Sequence, residues 1–163
     1  MIDEGRLGHY LQDHYAGSAA GIELFRRAAD QQTDPVARTT LTEMIATVED
    51  ERNALERFLA AIGAKPDPVK NAGAWLAEKI GRFKSNGELI RRSPLSDVVE
   101  LETLRLAVEG KAAGWRVLRQ LAEDDSKFDA AELDKLLSAA DDQIERLESL
   151  RMSAANRVFR QTP

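Results

Sequence analysis

The chain has 163 residues, 43% of them hydrophobic and 31% charged, with a net charge of −5 and a pI near 5.2. This describes one domain able to bury a core, and it argues against a general nucleic-acid binder. There is no cysteine, so disulfide and thiolate chemistry are excluded. No apolar run reaches the roughly 18 residues of a membrane span, and the acidic start Met1-Ile-Asp-Glu lacks the apolar region of a secretory leader. A cytoplasmic protein is expected.

Helical periodicity runs through four long segments. The first spans about Asp3 to Ala29, with Leu7, Leu11, His14, Ser18, Gly21/Ile22, Phe25 and Ala28 on one face. The second opens at Asp34-Pro35, an N-cap followed by proline in the first turn, and stops near Gly63. Its stripe is Leu41, Met44/Ile45, Val48, Glu51/Arg52, Leu55, Phe58/Leu59 and Ile62. The third starts at Ser93-Pro94, passes through Val98, Leu101, Leu104, Ala107/Val108, Lys111, Gly114/Trp115, Leu118 and Leu121, and breaks in Glu123-Asp-Asp-Ser126. The fourth opens at Asp129 with Glu132 three residues on, which resembles a capping box. Each segment is about 28 residues, or roughly 42 Å of helix.

The connections set the topology. Those inside the pairs 3–62 and 94–158 are short, so each pair is an antiparallel hairpin. The connection 63–93 is long enough to return along the whole bundle. Within it, Asp67-Pro68 caps a short amphipathic helix bearing Val69, Ala72, Trp75/Leu76, Ile80 and Phe83. The two hairpins also repeat. Gly17-Ser-Ala-Ala-Gly21 reappears as Gly110-Lys-Ala-Ala-Gly114, and Ile22-Glu-Leu-Phe25-Arg26 matches Trp115-Arg-Val-Leu118-Arg119. Glu49-Asp50, Leu55-Glu56 and Phe58 answer Asp141-Asp142, Leu147-Glu148 and Leu150.

With this repeat, these helix lengths and stretches such as Gly21-Ile-Glu-Leu-Phe-Arg-Arg-Ala-Ala29, the chain resembles the ferritin-like superfamily, and more closely its small bacterial members. The resemblance covers nearly the whole chain. It implies an all-α four-helix bundle, one domain over 1–163, made of two hairpins and a long crossover. It also implies a two-metal centre of iron or manganese, built from a glutamate on two helices and Glu-x-x-His on the other two.

The sequence departs from that pattern at the metal. Its only histidines, His9 and His14, lie on the first helix. Asp50-x-x-Asn53 and Asp142-x-x-Glu145 stand where Glu-x-x-His is wanted, and Ser18 and Lys111 stand at the inward glutamate positions. The leading expectation is therefore a bundle without the standard site and without catalysis, acting as a binding or structural module and associating as a homodimer. The alternative is an iron- or manganese-dependent oxidoreductase or ferroxidase with an altered site drawn from His14, Glu49, Asp50, Glu51, Glu109, Asp142 and Glu145, with Asp141 and Gln143 nearby. The blander reading of these residues is solvated helix faces paired at i,i+4.

Four features keep two readings each. His14 is a hydrogen-bonded core or boundary histidine, or else a ligand. Lys111 snorkels to solvent, or pairs with Asp50, Asp142 or Glu51 in place of a lost metal's charge. The four glycines Gly17, Gly21, Gly110 and Gly114 let the first and third helices pack closely, or leave a gap for a bulky side chain or ligand. Residues 64–95 carry seven cations against three carboxylates, a local +4. Their apolar face covers the bundle, or Lys79, Arg82, Lys84, Arg91 and Arg92 bind an acidic partner or an anionic surface. No Gly-x-Ser-x-Gly, phosphate loop or dinucleotide fingerprint is present.

Overall fold

A computed structural model describes residues 2–66 and 93–160. These residues form four helices and no strand: α1 (Glu4–Gln31), α2 (Pro35–Ala61), α3 (Pro94–Leu121) and α4 (Ala130–Phe159). The expected short helix, with its Trp75 and Phe83, lies outside the described residues. Among the described residues no helix is long and apolar enough to cross a membrane.

The helix ends follow from local chemistry. Asp3, Asp34, Ser93 and Asp129 are the N-caps, each accepting from backbone N–H groups one turn ahead. Each such cap contributes about 1 kcal/mol. Proline follows two of them, at a position whose N–H has no helical partner. Ser93 and Ser96 form a full capping box, because the Ser96 hydroxyl also accepts from the Ser93 N–H. Glu132 does not complete the box expected at Asp129; its carboxylate pairs with Arg57 across the bundle. α2 ends as its sequence suggests. Gly63 takes φ +69°, its N–H reaches the Ala60 carbonyl, and the Ala64 N–H reaches Leu59, both at 3.0 Å.

α1 packs along α2, and α3 packs along α4. The contact between α1 and α3 is thinner, and that between α2 and α4 is thinnest. Cross-links between the hairpins fix the directions. Thr33, after α1, donates to Asp97 at the start of α3, while Lys127, after α3, pairs with Glu4 at the start of α1. Arg157 near the end of α4 meets Asp34 before α2, and Arg57 near the end of α2 meets Glu132 in the first turn of α4. Every neighbouring pair is thus antiparallel, and α2 runs parallel to α3 on the diagonal. Pro66 and Ser93 therefore lie at opposite ends of the bundle.

The core falls into two apolar clusters. One gathers Ile22, Phe25, Leu41, Met44, Val48, Leu101, Leu104, Val108 and Leu147; the other gathers Leu7, Leu11, Tyr15, Leu55, Phe58, Leu59, Trp115, Leu118 and Leu133. Phe128, in the α3–α4 connection, turns inward and joins the second cluster. On α1 and α2 the boundary between clusters falls at Ser18 and Glu51, polar residues on otherwise apolar stripes.

Gly21 and Gly110 do not sit at a close helix contact. A Cβ added at Gly21 or Gly110 meets nothing within 4 Å, whereas at Gly114 it lies 3.0–3.1 Å from the His14 ring. At Gly21 and Gly110 the bare backbone borders a cleft, while at Gly114 the His14 ring of α1 takes the place of a side chain. Gly110→Ala should stabilise the protein by about 0.5–1 kcal/mol, the helix-propensity difference. Gly114→Ala should give no such gain, because His14 must move. Urea denaturation of the two variants checks this contrast.

Candidate functional site

The cleft opens between α1 and α3 and holds about 470 Å³. Residues from Tyr10 to Phe25 on α1 and from Thr103 to Trp115 on α3 form its walls, and Val48, Glu51, Arg52 and Leu55 of α2 form its floor. The lining is mainly apolar. Gly17, Gly21, Gly110 and Gly114 all border it.

At the floor, the Lys111 ammonium donates to Glu51 Oε2 and, at 2.6 Å, to Gln143 Oε1. Gln143 Nε2 donates in turn to Glu51 Oε1 at 2.9 Å. The Glu51 side chain is 4% exposed and that of Lys111 18%. Each carboxylate oxygen thereby accepts one hydrogen bond, and Lys111 keeps one N–H beyond the two it uses. Burial pulls the Lys111 pKa below that of an ordinary lysine, and the charge of Glu51 opposes the shift. Of the two readings of Lys111, the buried ion pair describes it. The partner is Glu51, since Asp50 and Asp142 point outward.

Arg52 lies beside this group. Its guanidinium donates to Ser18 Oγ at 2.9 Å and stands 3.9 Å over the Tyr15 ring. Among the described residues it has no carboxylate within ion-pair distance. Trp115 is 3% exposed and its indole N–H has no hydrogen-bond partner. His14 sits edge-on to Tyr10, with ring centroids 4.7 Å apart, and against Gly114. Burial lowers the His14 pKa, with Asp13 opposing, so the ring is held toward its neutral form.

The other candidate ligands disperse. Glu49 pairs with Arg26, Glu109 with Arg105 and Asp142 with Arg146, while Asp50, Asp141 and Glu145 are exposed. Among the described residues no three histidine, aspartate or glutamate side chains gather as a metal-binding group. The core donor set of Ser18, Glu51, Lys111 and Gln143 does not suit a two-metal carboxylate centre: it offers one carboxylate, and a cation stands beside it. Lys79, Arg82, Lys84, Arg91 and Arg92 lie outside the described residues. Arg52 and the Trp115 N–H were not singled out from sequence. A charge inside the α2 stripe was the signal for Arg52; nothing local signals an unpaired indole. No protein-family model, curated protein or solved structure matches the chain significantly.

Lys111→Met should cost about 3–5 kcal/mol, because it leaves Glu51 buried and unpaired. Replacing the whole group, Lys111→Met with Glu51→Leu and Gln143→Leu, should recover most of that loss, since none of the group's own buried polar atoms is then left without a partner. Urea midpoints of the single and triple variants measure the difference.

His14 yields a pH prediction. Its native pKa lies below the unfolded value of about 6.5, so the unfolded chain takes up the proton first. The contribution is fully present above that value and is lost as pH falls through it toward the native pKa. Wild type should therefore lose more stability on acidification below about pH 6.5 than His14→Gln does. Parallel denaturation curves across that range are the check.

Proposed function

We propose that the chain is a ferritin-like bundle in which a protein cation has taken the place of the two-metal centre, and that it acts as a non-catalytic binding module through the α1–α3 cleft. The observation that carries this reading is the Lys111 ammonium held between Glu51 and Gln143. The sequence correspondence pairs Ser18 with Lys111, the inward positions where the resemblance calls for a glutamate, and Glu51 with Gln143, each one residue beyond the Asp50 and Asp142 that stand where Glu-x-x-His is wanted. One remains a carboxylate. A lysine charge balances it, as a metal's positive charge would. Antiparallel neighbours with α2 parallel to α3, and hairpins whose connection starts and ends at opposite ends of the bundle, support the same topology.

The chemistry follows from the donor set. A buried ammonium repels a divalent cation, and an amide and a hydroxyl are weak substitutes for bridging carboxylates. Among the described residues, no histidine or second carboxylate completes a site around Glu51. What remains is an apolar cleft with a few polar groups on its floor, the usual character of a small-molecule site.

Elemental analysis after anaerobic ferrous or manganous loading tests the reading. Wild type should retain metal well below one ion per chain after desalting. The variant Ser18→Glu/Lys111→Glu/Gln143→Glu, which restores four carboxylates, should retain more. Close to two ions per wild-type chain would reject the proposal.

A further inference from the structure

We infer that the α1–α3 cleft binds a slender apolar molecule ending in a carboxylate, of the chemical class of a medium-chain fatty acid. This rests on the reading of the bundle as a binding module and specifies its ligand. The first observation is hydrogen-bonding capacity. Two cations that line the cleft carry N–H groups without an acceptor among the described residues: those that Arg52 leaves unused after its bonds to Ser18 and Tyr15, and the third N–H of Lys111. Glu51 already accepts on each oxygen, from Lys111 and from Gln143, and its charge is balanced by Lys111. A charged N–H group that borders an apolar cleft gains a charge-assisted hydrogen bond from a ligand oxygen that meets it. The surplus is of donors and includes an arginine with no carboxylate partner among the described residues, so the complementary head group is an anionic acceptor.

The second observation is shape, and it is independent of the first. From the level of Lys111 the cleft continues past Leu106 and Ala107 toward Thr103 on α3, and past Gly21 and Leu24 toward Phe25 on α1. That run is about 12 Å at 1.5 Å per residue, and it is apolar. Gly21 and Gly110 leave open space where a side chain would narrow it. Leu106, 53% exposed, forms part of the wall. A straight alkyl tail fits this passage, while a bulky polar ligand would leave its own polar groups unpaired there.

Calorimetric titration of the full-length chain with decanoate and with 1-decanol tests the inference. The fluorescence of Trp115 in a Trp75→Phe background serves as a second readout. Decanoate should bind once per chain and perturb Trp115. Decanol should bind about tenfold or more weakly, the worth of a charge-assisted head-group contact. Arg52→Gln should bring decanoate down to the level of decanol and leave decanol unchanged. Gly110→Leu should abolish binding of both while the melting temperature holds or rises. Equal affinity for acid and alcohol, uptake of several molecules per chain, retained binding in Gly110→Leu, or no binding at all would each overturn the inference. Metal content decides the preceding reading separately. A chain without metal that ignores decanoate keeps the lysine-for-metal reading and loses only this ligand, and a metal-loaded wild type loses the former whatever decanoate does.

Discussion

A positive charge buried in the middle of a helical bundle organises this protein. Lys111 cannot remain protonated there without partners, and Glu51 of α2 and Gln143 of α4 supply them. The group links three of the four helices at one level and fixes their mutual register, because a shift of one residue on any of them would separate a buried ammonium from its carboxylate. The core is apolar on both sides of that level. α1 stands outside the network. It reaches α2 through Arg52, which donates to the Ser18 hydroxyl and the Tyr15 carbonyl. The cleft lies in the seam between α1 and α3, where the Lys111–Glu51–Gln143 group has no partner on α1.

The same arrangement sets the electrostatics of the cleft. Glu51 is neutralised by Lys111, and Arg52 adds a further cation held by neutral acceptors and by the face of Tyr15. A cation that a carboxylate does not satisfy remains available to an anion, and an apolar surround strengthens that attraction relative to water. The chain as a whole is acidic at −5, so this local excess of positive charge reflects placement rather than composition.

Much of the architecture was legible because helix ends have local causes. Asp34-Pro35, Ser93-Pro94 and Asp129 mark starts through backbone donors that only a nearby side chain can satisfy, and Gly63 marks a stop through a conformation glycine adopts freely. The site was less legible, because its facts are rotational and tertiary. Asp50 and Glu51 are neighbours in sequence but stand about 100° apart around the helix, so one faces solvent and the other the core. Choosing between them as the partner of Lys111 required the rotation of α2. The glycines signal missing side chains, and only the packing decides whether another helix or empty space faces them. The unpaired indole of Trp115 has no counterpart in any sequence pattern.

The cleft also contains several features that weaken the free protein and point the same way. Glycine within a helix costs about 1 kcal/mol relative to alanine, and at Gly21 and Gly110 no close helix contact offsets that cost. Native sequences tend to be locally consistent, and the places where they are not tend to be places where something else must fit. Here two features share one cavity and are complementary: the glycines make room, and the cations of Arg52 and Lys111 can take an anionic acceptor. Filling the room with a side chain would stabilise α1 or α3 and remove the space, whereas an apolar molecule with an anionic head group answers both at once.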